Sequence, residues 1–238
     1  MKLLAEFQGL VKAVSVWAYS LLIVGLIIFS LPVSAGKTPA QIVIDRFQRD
    51  FLNSEIQLVV LAPAEAFVAQ ASVSLLLAFV ITMPLLIIRL SGYVSPALRP
   101  AERRVLSRAG AASGLLFLAG AVFGYLAVAP VSLKVLYAFA GPLNVRQLLS
   151  LSSFIGFITG SIFISGLIFQ IPVSMFLLTK IGLVPARRWR ASWRTAVLAF
   201  LIFTALITPD GSGVTMLVLA VPLIGLYLLG TVFTAKSP

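Results

Sequence analysis

The sequence contains no cysteine and no histidine, and only 7 of its 238 residues are acidic. Without cysteine there is neither a disulfide framework nor thiolate chemistry, and without histidine the commonest metal ligand and the usual proton shuttle are missing. There is also no HExxH motif, no pair of aspartates within an apolar run and no glycine-rich phosphate loop. We therefore expect no enzymatic activity, no metal site and no cofactor.

Charge of either sign is scarce, at 11% of residues, whereas 60% are hydrophobic and the mean hydropathy is +1.09. These values are far outside the range of soluble domains and indicate an all-α polytopic membrane protein. The net charge of +11 lies in short segments between apolar runs. Cations in such segments report membrane orientation and contact anionic headgroups of the lipid bilayer, so we expect no nucleic-acid partner.

Uncharged runs of about twenty residues are long enough to cross about 30 Å of hydrocarbon. One run, which follows Arg194, has 13 residues and at about 1.5 Å per residue would reach only about 20 Å. It is either a short span or part of a re-entrant hairpin, which would leave five true spans. The predicted spans of this single membrane domain are 13–33, 66–88, 109–131, 150–178, 195–208 and 214–235, with the fifth and sixth as short helices.

The lysines and arginines predict the orientation. With the N-terminus inside, 13 of them fall on the cytoplasmic side and 5 on the opposite side. This split follows the positive-inside tendency only if the short fifth run goes out and the last run returns. We therefore predict six transmembrane helices in a cell membrane, with both termini in the cytoplasm.

The segment between the first two runs is the only loop of any length that is net negative. It carries apolar residues at near-helical spacing with charged residues between them, a pattern typical of an amphipathic helix. We predict an amphipathic cap on the outer surface. The apolar positions are Ile44, Phe47, Phe51, Leu52, Ile56 and Val59.

Polar and helix-breaking residues interrupt the apolar runs at few places. Pro84 and Pro172 are expected to kink or break their helices, and the glycines of runs three and four allow close approach, chiefly within one chain. Gln170 needs hydrogen-bond partners inside the bundle, either as a structural contact between helices or as a functional polar group. Asp210 precedes the last helix, where capping explains it.

The segment 89–108 carries five arginines and a single acid, Glu102. An acid among arginines at a membrane surface is either a local charge balance, which contributes little stability, or an acceptor for a basic peptide. The sequence pattern around Glu102 decides between these two interpretations.

The run MPLLIIRLSGYVSPALRPAERR resembles the TatC family, the multispanning receptor subunits of the twin-arginine protein translocase. Pro84, Pro96 and Glu102 fall at that family's spacing, with Tyr93 and Leu98 at its aromatic and leucine positions. The resemblance continues in order through PAEAF at 63–67, GAVFGYLAVAP at 120–130, GLIFQIPV at 166–173 and TPDGSGVTMLVLAVP at 208–222, the last resembling archaeal members. The other motif residues are Pro63, Glu65, Phe67, Pro130, Pro172 and Asp210.

The resemblance implies a receptor rather than an enzyme. Members bind signal peptides with consecutive arginines and assemble, as homo-oligomers with single-span TatA/TatB-type subunits, to export folded proteins with the proton-motive force. By that resemblance Glu102 would pair with arginine, while Tyr93, Leu98 and Arg103 would shape the surface around it. Gln170 would occupy the polar position inside the bundle. The contacts to single-span partners would be Thr208, Thr215 and Met216.

The chain departs from the family pattern at both ends. Before the first run it has AEFQGLVKAV, where Glu6 is an uncertain match and the expected arginines are missing. Leu228 and Met216 stand where the family has polar residues. These replacements make the intramembrane face more apolar and leave a second acid for the twin arginines in doubt.

Two other classes of function fit part of the pattern. A small secondary transporter would use Gln170 and the proline-broken helices as a midplane site, but no inverted repeat or membrane-embedded charge supports it. A structural membrane scaffold would bind neither peptide nor solute.

Overall fold

The structure is a computed structural model that describes residues 2–34, 36–52, 56–94, 100–140, 148–180, 182–207 and 213–235. Within these ranges the side chains of residues 2–8, 10, 13, 87, 90–94, 100–109, 111, 139, 140 and 207 are outside the description. The described part is mostly helical. Its elements are α1 (Lys2–Ser30), α2 (Pro39–Phe51), β1 (Gln57–Val59), α3 (Glu65–Val94), α4 (Pro100–Phe123), a π-helical turn (Gly124–Val128), α5 (Ala129–Ala140), β2 (Leu148–Ser150), α6 (Leu151–Ile168), α7 (Ile171–Lys180), α8 (Ala186–Ala191), α9 (Trp193–Ile207) and α10 (Gly213–Ala235).

Four helical stretches of the described residues are long and apolar enough to cross a membrane, and two further apolar helices are shorter. The last helix, α10, has 23 residues, so the prediction of a short sixth helix is wrong. Its apolar run has no charge to stop it earlier, and the helix continues through Pro222. The fifth, α9, has 15 residues and is short. The four long stretches are Glu65–Leu86, Ala112–Ala138, Leu151–Lys180 and Gly213–Ala235, and the shorter helices are Val14–Ser30 and Trp193–Leu206.

Helix α3 lies at the centre of the bundle and packs against α1, α4 and α6. Its small residues Ala69, Val73 and Ala78 are almost fully buried and let these neighbours approach closely. Helix α10 packs against α7 and α9 at the other end of the bundle. There, Leu219 and Leu223 form a second apolar cluster with residues of α6 and the π-helical turn.

The predicted amphipathic helix is present as α2. Thr38 caps its N-terminus in a capping box with Gln41, and Phe47 faces the bundle. The helix ends at Phe51, so the helical spacing predicted through Ile56 and Val59 is wrong. Residues 57–59 instead form β1, which pairs in parallel with β2 at 148–150. The fold is therefore not purely helical among its described residues.

Three prolines have three different effects. Proline lacks a backbone N–H, and its ring clashes with the carbonyl four residues earlier in a regular helix. Before Pro172 the helix breaks, with α6 ending at Ile168, and the proline then sits at the second position of α7, where no donor is needed. Pro130 follows the wider π-helical turn, whereas α3 continues as a helix through Pro84.

Candidate functional site

The break between α6 and α7 places Gln170 inside the bundle. Its side chain reaches Ser113 of α4: Gln170 Nε2 donates to the Ser113 carbonyl oxygen at 3.1 Å, and the Ser113 hydroxyl donates to Gln170 Oε1. Ser113 is fully buried and Gln170 is 9% exposed. The amide thus has partners on both of its ends, as burial of a polar group in an apolar bundle requires.

Three glycines allow α4 and the π-helical turn to approach α6 closely, which brings Ser113 within reach of Gln170. A Cβ on Gly120 would lie 2.6 Å from the Ser165 carbonyl oxygen, and one on Gly124 would lie 2.8 Å from Ile162 Cα. On the facing helix, a Cβ on Gly166 would lie 2.7 Å from the Phe117 ring. These three glycines therefore serve packing within one chain, as expected from the sequence. By contrast, among the described residues, no atom outside the neighbouring turns of α6 lies within 4 Å of a Cβ built on Gly156 or Gly160.

We expect Ser113→Ala to lower the free energy of unfolding by about 0.6 kcal/mol and by no more than about 1.7 kcal/mol, the range for hydrogen bonds between membrane helices. Chemical unfolding in detergent measures this change. Ser72→Ala is the matched control, because the Ser72 hydroxyl donates only to Val68 O in its own helix.

A double-mutant cycle with Gln170→Leu assigns the effect of Ser113→Ala to the contact. The two substitutions should be less than additive, because each one removes the hydrogen bond from the Ser113 hydroxyl to Gln170 Oε1. Full additivity would show that the contact contributes nothing.

None of the residues predicted to bind a signal peptide has a described side chain. Glu102 and Arg103 belong to the backbone of α4, and Tyr93 to that of α3, but their side chains lie outside the description. Pro96 and Leu98 lie outside the described residues altogether. Glu6 is part of α1, and its side chain is likewise outside the description. The contacts of this predicted surface therefore remain predictions.

The residues predicted to contact partner subunits differ in exposure. Thr208, like Asp210, lies outside the described residues. Thr215 is 1% exposed within the single chain, whereas Met216 beside it is partly exposed and Val214 is exposed. In this structure Met216 is therefore better placed than Thr215 to meet another chain.

The remaining motif residues hold elements together. Glu65 accepts hydrogen bonds from Leu61 N at 3.2 Å and from the Ser150 hydroxyl at 2.9 Å, so it ties the start of α3 to β2. Phe67 packs its ring against Phe29 of α1, and Pro84 faces Gly114 of α4. Pro63 lies in the exposed turn that leads into α3.

An ion pair and an aromatic cluster dock the cap helix on the π-helical turn. Tyr125 donates a hydrogen bond to Asp50, whose Oδ2 also accepts one from Arg46 Nε at 2.8 Å. The Tyr125 ring contacts those of Phe47 and Phe51, with ring centroids 5.7 and 5.1 Å apart. The wider turn after Phe123 thus positions a tyrosine for the cap. Sequence periodicity gave no signal for this contact.

The hydrogen bond from Tyr125, assisted by Arg46, holds the pKa of the Asp50 carboxyl below its ordinary value of 3.8. A carboxyl with a lowered folded-state pKa adds stability above pH 3.8 and loses that contribution as pH falls through the folded value. We therefore expect hydrogen-exchange protection of the α2 amides to fall below about pH 4.

Asp50→Asn should remove most of this pH dependence, since asparagine does not titrate. Asp45→Asn is the control, because Asp45 pairs with Lys37 and does not contact Tyr125. An unchanged acid-induced loss of protection in Asp50→Asn would contradict the assignment.

Ser113, Tyr125 and Asp50 are the functional or positioning residues that the sequence did not single out. A serine in a glycine-rich run resembles any small packing residue until its partner is known, and Asp50 was one of several charges on the cap. Among the described residues, no group of three or more acidic side chains could hold a metal ion. The described site offers hydrogen bonding and close helix packing.

Comparison with known proteins agrees with this architecture. The family model for the Sec-independent protein translocase protein TatC matches residues 7–222. The chain is 35% identical over 192 residues to TatC of Cenarchaeum symbiosum, covering 81% of this chain and 73% of that protein. It is 35% identical over 170 residues to the chloroplast TATC of Arabidopsis thaliana, covering 71% of this chain and only half of that longer protein.

A crystal structure of the twin-arginine translocase receptor TatC has the same fold, with a TM-score of 0.78 over 97% of this chain and 98% of that one. Its sequence is 24% identical. The family match covers most of the chain, the archaeal relative is similar over most of its length, and the fold agrees almost end to end. The chain therefore belongs to the TatC family and is a membrane component of a Sec-independent protein translocase.

Proposed function

We propose that this chain is the receptor of the twin-arginine translocase and binds signal peptides with consecutive arginines at its cytoplasmic face. The observation that carries the proposal is the single acid, Glu102, among the five arginines of the segment 89–108 in a TatC family member. A guanidinium pairs with a carboxylate through two parallel hydrogen bonds, a geometry that a lysine cannot reproduce. Tyr93, Leu98 and Arg103 form the surface around this acceptor.

The same proposal includes the six-span topology with both termini in the cytoplasm of a cell membrane. The four long apolar stretches and the two shorter apolar helices support six crossings, and the distribution of lysine and arginine supports the orientation. In this arrangement α2 caps the outer surface, and the segment 89–108 faces the cytoplasm, where signal peptides are presented.

The chain acts together with single-span TatA/TatB-type subunits and other copies of itself to export folded proteins, driven by the proton-motive force. Met216 and Val214 at the start of α10 are partly exposed and exposed apolar positions, respectively, and they fit a partner helix. Thr208 precedes them in the sequence, and Thr215 is buried between them. Gln170 and Ser113 form a buried polar contact within the same bundle.

Export of a folded fluorescent reporter tests this function. In cells that lack their own TatC and carry the matching single-span subunits, expression of this chain should restore export of a reporter with a twin-arginine signal peptide. A reporter with a twin-lysine signal is the control and should stay inside. Solute flux by the chain alone in proteoliposomes, with no export, would instead favour a transporter.

A further inference from the structure

Four arginines surround the junction of α7, α8 and α9. They are Arg187, Arg188, Arg190 and Arg194, which we call the basic collar. All four are exposed, and the two ion pairs found among the described side chains both lie in the outer cap, away from them. Four exposed cations without an acidic side chain beside them in the described part of the chain indicate a surface that meets an anionic group from outside the chain.

The collar is fixed in place by Trp189, which lies between its arginines. Trp189 Nε1 donates to Thr179 Oγ1 at 3.0 Å, and the Tyr227 hydroxyl donates to the Trp189 carbonyl oxygen at 2.7 Å. The two rings also pack, with centroids 6.4 Å apart. Helix α8 is therefore fixed against α7 and α10, with Trp189 beside the C-terminal end of α7.

An apolar groove of about 490 Å³ lies between α6 and α7 on one side and α9 and α10 on the other. Tyr227 connects the groove to the collar. The ring of Phe200 in the groove lining packs against Tyr227, with centroids 5.6 Å apart, and Tyr227 in turn contacts Trp189. Along α9, the lining residues Ala199 and Phe203 lie about 9 Å and about 15 Å from Trp193, the first residue of that helix. The lining residues are Ile164, Leu167, Ile168, Ile171, Ala199, Phe200, Phe203 and Leu223.

We propose that the collar and the groove together form a binding site for one anionic phospholipid, with its phosphate at the arginines and an acyl chain in the groove. The anionic headgroup of such a lipid matches the positive charge of the collar, and its acyl chain matches the apolar lining of the groove. A helix about 10 Å across would occupy roughly 800 Å³ over every 10 Å of its length, so the groove is too small to hold a partner helix whole. The residues of this site are different from those of the proposed peptide surface at Glu102.

The short length of α9 favours the same ligand. Its 15 residues span only about 22 Å, less than the roughly 30 Å of the hydrocarbon core. Local thinning is one of the ways in which a bilayer accommodates a short helix, and such thinning draws lipid headgroups inward, toward the collar. In the proposed orientation this is the cytoplasmic leaflet, whose anionic lipids attract basic segments.

Native mass spectrometry of the purified full chain, equilibrated with equal amounts of dioleoyl-phosphatidylglycerol and dioleoyl-phosphatidylcholine, tests the headgroup half of the site. The wild type should retain one phosphatidylglycerol in preference to phosphatidylcholine. Each arginine near a headgroup contributes about fivefold in affinity. The triple variant R187Q/R188Q/R190Q should therefore lose the preference by at least about tenfold.

The control variant K37Q/R49Q/K134Q removes the same number of charges elsewhere and should keep the preference. Equal loss in both variants would show a general charge effect and overturn the site.

A second variant tests the groove. Ala199→Phe places a ring in the lining and should reduce retention of both lipids, by about fivefold for a loss of about 1 kcal/mol. Ala205→Phe adds the same ring to an exposed position of α9 outside the lining and should leave retention unchanged. Unchanged retention in Ala199→Phe would overturn the proposal that one lipid occupies both parts.

Both variants are compared by thermal unfolding to establish that they fold. A measurement on the wild type alone gives an independent readout, since titration with phosphatidylglycerol should saturate at one tightly held lipid. Weak binding of many lipids without saturation would also overturn the site.

Discussion

Glu102→Gln is expected to lower the affinity of the chain for a twin-arginine peptide by roughly tenfold to a hundredfold. A hydrogen bond to a charged group contributes about 1.5 to 3 kcal/mol, and glutamine removes the charge while it keeps the shape of the side chain. Fluorescence anisotropy of a labelled peptide, with the chain in nanodiscs, measures the affinity.

Asp45→Asn is the matched control, because it also replaces one exposed acid by its amide but lies on the cap helix α2. It should bind the peptide as the wild type does. Equal affinities of Glu102→Gln and the wild type would remove Glu102 from the proposed site, whatever the family of the chain.

Gly124→Leu is expected to have the largest effect on stability. A Cβ at this position would lie 2.8 Å from Ile162 Cα and 2.9 Å from the Ser161 carbonyl oxygen. Backbone atoms cannot move aside without a shift of the whole helix α6. Overpacking of this kind costs about 1 to 3 kcal/mol, and more where backbone must move. Thermal unfolding in detergent should show a clear fall in the melting temperature.

Gly156→Ala on α6 is the control, since no described residue beyond its own helical turns has an atom within 4 Å of the added Cβ. Replacing a glycine inside a helix by alanine gains about 0.5 to 1 kcal/mol when the methyl group has room. The two glycine variants should therefore shift the melting temperature in opposite directions. A neutral Gly124→Leu would contradict the close approach of the π-helical turn to α6.

The membrane helices were predictable because hydropathy is a property of contiguous residues. The uncharged run 66–88 lies within α3 and the run 214–235 nearly coincides with α10, whereas the run 150–178 covers α6 and most of α7, whose break the hydropathy did not locate. The 13-residue run corresponds to the short α9. The strands β1 and β2 were not predictable in this way. Each has only three residues, and each exists because a partner about 90 residues away in sequence supplies its hydrogen bonds.

The candidate site was also predictable only in part, because local properties can be read from the sequence whereas contacts between distant residues cannot. That Gln170 needed a partner followed from the cost of an unpaired amide in an apolar bundle, but the identity of Ser113 depended on which helices meet. Glycine spacing predicted close packing, yet it could not distinguish Gly120 and Gly124, which touch α6, from Gly156 and Gly160, whose Cβ positions are open.

Proline also carried less information than its chemistry suggests. The sequence treated Pro84 and Pro172 alike, although one lies within a continuous helix and the other follows a break. Pro130 follows a π-helical turn, which the sequence did not indicate and which places Tyr125 against Asp50. The outcome at each proline depends on the neighbouring helices that can satisfy or displace the freed carbonyl.

Equilibrium binding of three peptides that differ only in their paired residues, RR, RK and KK, to the purified wild-type chain tests the receptor function most directly. We predict that the RR peptide binds at least about tenfold more tightly than the KK peptide, with RK between them, because only arginine can form the bidentate pair with a carboxylate. Equal affinity for all three peptides would contradict the account.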